Sequence, residues 1–110
     1  MANGTSVVSK GPLRAQWQGL YSHVFPFSCT MDVGSLADGA GETNTVAVPG
    51  VALGDLVEVA GNISIASATV TAWVSATDVV SIRFQNESGA GPLDLASMTI
   101  KGIAKRPNWV

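Results

Sequence analysis

Val79–Asn86, VVSIRFQN, alternates along its length: Val80, Ile82 and Phe84 fall on one side, Ser81, Arg83 and Gln85 on the other. A period of two, with β-branched and aromatic residues on one side, is the pattern of a strand with one buried face. The same pattern recurs outward in both directions. Downstream, residues 98–103 (MTIKGI) set Met98 and Ile100 against Lys101. Upstream, residues 69–75 (TVTAWVS) are rich in β-branched and aromatic side chains, and residues 56–60 (LVEVA) alternate with Glu58 facing out. Residues 43–48 (TNTVAV) alternate at their end, and residues 27–33 (FSCTMDV) put Phe27, Cys29 and Met31 on one face.

Turn chemistry separates these runs. Asp38-Gly39, Pro49-Gly50, Gly54-Asp55, Gly61-Asn62, Asp78, residues 89–92 and Pro107-Asn108 punctuate the chain at short spacing. Short strands with such turns predict an all-β fold, an antiparallel β-sandwich of about six to seven strands, with a small closed barrel as the alternative. The inward faces are predicted to carry Val46, Val48, Leu56 or Val57, Val70, Trp73 or Val74, Val80, Ile82, Phe84 and Ile100. Trp73 and Phe84 read as core packing. Residues 94–97 (DLAS) fit one helical turn. Residues 1–24 hold Gly4, Gly11, Pro12 and Gly19 and show no clean alternation, so they read as an extended N-terminal arm. The expected organisation is an arm over 1–24, a sandwich over 25–104 and a tail over 105–110.

A chain of 110 residues suits one domain with a real core. Only 13% of its residues are charged, about half the usual share. Low charge leaves surface that a partner covers without desolvating many ions. The net charge of −2 gives no overall nucleic-acid footprint. Its distribution is uneven. Residues 1–31 carry Lys10 and Arg14 and no acid, residues 32–100 carry all eight acids and Arg83, and residues 101–110 carry Lys101, Lys105 and Arg106. Basic ends on an acidic body suit docking on an acidic neighbour. No apolar stretch approaches the roughly 20 residues of a membrane helix. Residues 1–10 lack a basic start followed by an apolar run, and Cys29 is the sole cysteine, so synthesis in a reducing cytosol is expected. The sequons at Asn3, Asn62 and Asn86 then read as chance matches.

Reactive groups are scarce. His23, the single histidine, sits between Tyr21 and Phe25 and reads as a packed residue. No Gly-x-Ser-x-Gly elbow is present, and residues 39–43 (GAGET) place Glu42 where a phosphate loop needs lysine. Asp32, Asp38 and Glu42 surround a glycine-rich turn and offer calcium-type ligands, without EF-hand spacing. The expectation is a protein without catalytic residues, cofactor or metal. Trp17 and Trp109 lie outside the alternating region, in the basic ends, and tryptophan is a favoured contact anchor. The contact candidates are therefore Lys10, Arg14, Trp17, Tyr21, Lys105, Arg106 and Trp109.

Residues 46–55 (VAVPGVALGD) and the strand after them, residues 72–86 (AWVSATDVVSIRFQN), and residues 94–97 (DLAS) resemble small proteins encoded in tailed bacteriophages and prophages. Those proteins share VPGxxLGD, a strand, VSAxDTVxVRFxN and then D-x-A-S. The resemblance covers about residues 28–104; Asp78-Val79 stands where Asp-Thr is commoner, which affects only the turn. It implies a virion structural protein made in the bacterial cytoplasm. Decoration or cement proteins of this kind sit on the head, commonly as homotrimers, and clamp the major capsid protein. A tail, baseplate or fibre module is the alternative. Neither reading involves nucleic acid or a membrane.

Overall fold

A computed structural model describes residues 19–108 of the chain. Among them six strands follow one another: β1 (Tyr21–Met31), β2 (Gly41–Ala47), β3 (Leu56–Gly61), β4 (Ala68–Ala76), β5 (Val79–Asn86) and β6 (Met98–Pro107). They form two three-stranded antiparallel sheets, β1-β6-β3 and β2-β5-β4. The fold is all-β, and the sheets do not close into a barrel. β5 and β6, the cleanest alternating segments, are the two central strands. That is the expected place for the strongest patterning, because a central strand is buried by neighbours on both sides.

The core lies between the sheets. From β5 come Val80, Ile82 and Phe84; from β6 come Met98, Ile100 and Ala104, all at most 2% exposed. Register aligns them into cross-strand rows. Val46, Val80 and Val74 lie side by side in one sheet, and Cys29 lies opposite Ile100 and Met31 opposite Met98 in the other. Phe25, Phe27, Val57, Val59 and Val70 pack on this centre from the flanking strands. Val33, Leu36, Val51 and Leu95 extend it from loops.

The two open choices of facing are settled by register. Val57 and Val74 turn inward; Leu56 and Trp73 turn outward, 44% and 41% exposed. Trp73 stands opposite Ser81 on the outer face of its sheet, not in the core. Val74 pairs with fully buried Val80, and a period of two then forces its neighbour out. Residues 94–97 form no helical turn. Leu93 makes an isolated antiparallel bridge to Leu36, and Leu95 two residues on is buried, so this segment is held extended.

The boundaries also differ from those expected. β1 takes in Tyr21–Val24 of the segment read as arm, and β6 runs through Lys105, Arg106 and Pro107 of the segment read as tail. These residues pair with one another: Tyr21 with Pro107, His23 with Arg106, Val24 with Lys105. A bulge between Tyr21 and His23 inserts one residue. It turns Tyr21 to the Lys105 face, where the ammonium lies 5.1 Å from the ring centroid.

Candidate functional site

The β2–β3 connection, residues 48–55, crosses from one sheet to the other and carries the VPGxxLGD motif. Its hydrogen bonds account for Val48, Gly50 and Asp55. Val48 N–H donates to the Asp78 carbonyl (2.9 Å), Asp78 N–H to the Val51 carbonyl (3.0 Å), and Gly50 N–H to Asp78 Oδ1 (2.8 Å). Asp78 is the last residue of the Thr77-Asp78 loop joining β4 to β5, in left-handed conformation (φ 66°), which aspartate tolerates. Gly50 has φ 101°, and a Cβ there would stand 2.7 Å from Phe25 Cε1. Glycine is needed on both counts.

The last residue of the motif, Asp55, ties the crossover to β6. Arg106 Nε donates to Oδ1 and Nη2 to Oδ2, both at 3.0 Å, and Ala52 N–H reaches Oδ2 at 3.0 Å. Arg106 Nη2 also donates to the Gly50 carbonyl at 2.9 Å, and the guanidinium lies 5.5 Å from the Phe25 ring centroid. The Asp55 side chain is only 3% exposed. This is a bidentate, charge-assisted clamp joining the crossover, the β4–β5 tip and the central strand of the other sheet.

Burial pushes the Asp55 carboxyl up, but the Arg106 and Ala52 hydrogen bonds and the charges of Arg106 and His23 outweigh it, so its pKa falls below the usual value. A carboxyl with a lowered native pKa contributes stability that is complete above the unfolded value of about 3.9 and disappears as pH falls through the native one. Asp55→Asn is expected to cost about 2 kcal/mol at pH 7, the scale of a hydrogen bond to a charged group. Thermal unfolding of both proteins from pH 7 to pH 2 should show the gap closing below about pH 4. A gap that stays constant to pH 2 would mean the charge of Asp55 contributes nothing.

Of the contact candidates, Lys10, Arg14, Trp17 and Trp109 lie outside the described residues. Tyr21, Lys105 and Arg106 are brought together at one end of the β1–β6 pair and engaged within the chain. Lys105 is 6% exposed and is ion-paired with Glu58. Neither bond of Arg106 nor that of Lys105 was legible beforehand, since Asp55 is 51 residues from one and Glu58 is 47 from the other.

Of the three carboxylates near the glycine-rich turn, Asp32 is exposed and the other two are engaged separately. Asp38 Oδ1 accepts from Gly89 N–H at 3.0 Å, and Glu42 Oε2 accepts from Asn44 Nδ2 at 2.8 Å. No cluster of three or more His, Cys, Asp or Glu side chains suited to a metal occurs among the described residues. His23 stacks on Phe25 at 5.9 Å between centroids, and its Nδ1 is 3.0 Å from Ser22 Oγ.

Asn86, a sequon match by sequence, is fully buried and holds two loops, the β1–β2 and β5–β6 connections. Its Nδ2 donates to the carbonyls of Leu36 (2.9 Å) and Gly91 (3.0 Å), and its Oδ1 accepts from Ser88 N–H (3.1 Å). The Asn62 side chain is likewise in use, accepting from Thr99 N–H at 2.9 Å.

What faces outward is the other side of the β1-β6-β3 sheet. Val24, Lys105 and Leu56 form one cross-strand row; Pro26, Ile103 and Glu58 form the next; Ser28, Lys101 and Ala60 the third. A shallow groove of about 780 Å³ runs over Pro26, Ser28, Ala60 and Ile103. Pro26, Ala60 and Ile103 make its lining largely apolar. The only charges beside it are Glu58 and Lys101 among the lining residues. No protein-family model, no curated protein and no solved structure matches this chain.

Proposed function

We propose that this chain is a non-enzymatic virion structural protein of a tailed phage, a decoration or cement protein that binds the head surface as an oligomer and steadies contacts between major capsid subunits. The observation that carries this reading is the apolar outer face of the β1-β6-β3 sheet, where Val24, Leu56, Pro26 and Ile103 lie together around an open groove. An exposed apolar face with few charges is the composition of a protein-contact surface. The resemblance to phage proteins supplies the class of partner. Its motif residues are the joints of the sandwich, the crossover and the β4–β5 tip. A rigid scaffold suits a protein present in many copies, where weak contacts sum through avidity.

The test is co-sedimentation with purified heads of the encoding phage, using the wild type and Ile103→Glu. Ile103 points to the groove and away from the core, so the variant should keep its thermal unfolding temperature while losing head binding at least tenfold. Equal binding by both proteins would remove the groove from the interface. Binding to purified tails or baseplates instead of heads would establish the tail-module reading in place of decoration.

A further inference from the structure

The two sheets meet differently along their two sides. β3 and β4 lie against one another, and residues 62–67 close that side, with Ile63 and Ile65 packed on the core. β1 and β2 belong to different sheets and make little contact. A cleft of about 410 Å³ opens between them, lined by residues 29–32 of β1 and its end and residues 44–47 of β2. Among the described residues both are edge strands, so each presents a row of backbone groups that no described strand pairs.

The β1 edge is divided in two. A proline is accommodated in a strand where its nitrogen faces away from the partner strand. Pro26 therefore faces the open side, and by the period of two so do the backbone groups of Ser28 and Thr30. Beyond Pro26, towards Asp32, the edge has donors and acceptors to offer; at Pro26 it lacks a donor.

The cleft is polar at its mouth and apolar at its base. Met31 is buried and Cys29 and Val46 are half-buried, while Asp32 is exposed. The lining carries one carboxylate and no cation, and its Asn44 is bonded to Glu42. The segment preceding the described residues is complementary: residues 1–18 carry Lys10 and Arg14 and no acid, with the strand-prone stretch Ser6-Val7-Val8-Ser9-Lys10.

We propose that this cleft receives residues 6–10 of a second copy of the chain, added as a short strand along the free half of β1, with Lys10 beside Asp32. Four or five residues cover the cleft at about 3.3 Å each. A chain's own N-terminal segment starts at the far end of β1, next to Tyr21. To reach its own cleft it has to double back along the length of β1, and pairing on that path is interrupted at Pro26. A neighbour's segment enters from the Asp32 end and avoids that position. The inference rests on the oligomeric part of the reading above and names the surface that joins the copies.

Cys29 is the only cysteine of the chain and lines the cleft, so its thiol reports occupancy. In the full-length oligomer it should react with a maleimide at least tenfold more slowly than after removal of residues 1–18. The double change Lys10→Glu and Arg14→Glu, placed outside all described strands, should expose it to a similar degree. Copies carrying Val7→Cys and Cys29→Ser, mixed with wild-type copies under mild oxidation, should form a disulfide between chains. Equal labelling rates in all three proteins would overturn the proposal. So would the absence of a cross-chain disulfide, or a disulfide formed only within one chain when Val7→Cys is made in the presence of Cys29. Head binding measured in parallel keeps the two ideas apart. A chain that binds heads with Cys29 open sinks the exchange alone, and one that exchanges segments without binding heads sinks the decoration reading alone.

Discussion

Asn86→Asp is expected to lower stability at pH 7 by about 3–5 kcal/mol, the cost of a buried charge without a partner. The two side chains have nearly the same shape, so packing is unchanged. What changes is the sign of one contact. The Asn86 amide donates to the carbonyls of Leu36 and Gly91 from a fully buried position. A carboxylate there meets two carbonyl oxygens at the same distances and has nothing to give them. Protonation restores one donor, so the raised pKa of the new carboxyl makes the defect shrink as pH falls from 7 towards 4. Urea unfolding at both pH values measures this. A variant as stable as the wild type at pH 7 would show that the loops rearrange around Asn86 at no cost. Asn86→Leu, which leaves both carbonyls and the Ser88 N–H unsatisfied, is the control that carries no charge.

The second large effect belongs to Gly102. It lies in the middle of β6, directly opposite Phe27 on β1 and Val59 on β3. The tip of the Phe27 ring lies over it: a Cβ at Gly102 would stand 2.7 Å from Cε2 and 2.8 Å from Cε1. An aromatic ring covering a strand glycine restores the packing that glycine lacks. Gly102→Val drives the ring off and overfills the core, for an expected loss of about 3 kcal/mol. Gly102→Ala should cost less, and combining it with Phe27→Leu should recover part of the loss, because the smaller side chain vacates the contested volume. A double-mutant cycle with zero coupling would contradict this close approach.

All six strands were legible because each carries a period of two that survives in one dimension. Val80, Ile82 and Phe84 needed no tertiary knowledge. Facing failed where two apolar residues are adjacent, as at Leu56-Val57 and Trp73-Val74, since either parity then fits the pattern. At Trp73 only the pairing of Val74 with Val80 decides, and size alone favours the wrong residue. Residues 94–97 have helix-compatible composition, but the bridge from Leu93 to Leu36 overrides so weak a local preference. The clamp was invisible for a different reason. Asp55 and Arg106 read separately as a turn residue and a contact candidate in the basic tail, and nothing local records that a crossover brings them within 3.0 Å. Asn86 likewise looks like a polar strand end until the loops at Leu36 and Gly91 close over it.

The chain enters β1 and leaves β6 at the same end of the molecule: Tyr21 pairs with Pro107, and Asn108 N–H donates to the Leu20 carbonyl. Tension applied between those two points peels the strands apart one rung at a time, the weakest way to load a ladder, because the rungs fail in series instead of sharing the force. A scaffold strung between neighbours by its two ends in opposite directions would tear open early. This molecule resists traction best when both ends are drawn the same way, with the sheet faces braced against whatever lies beneath.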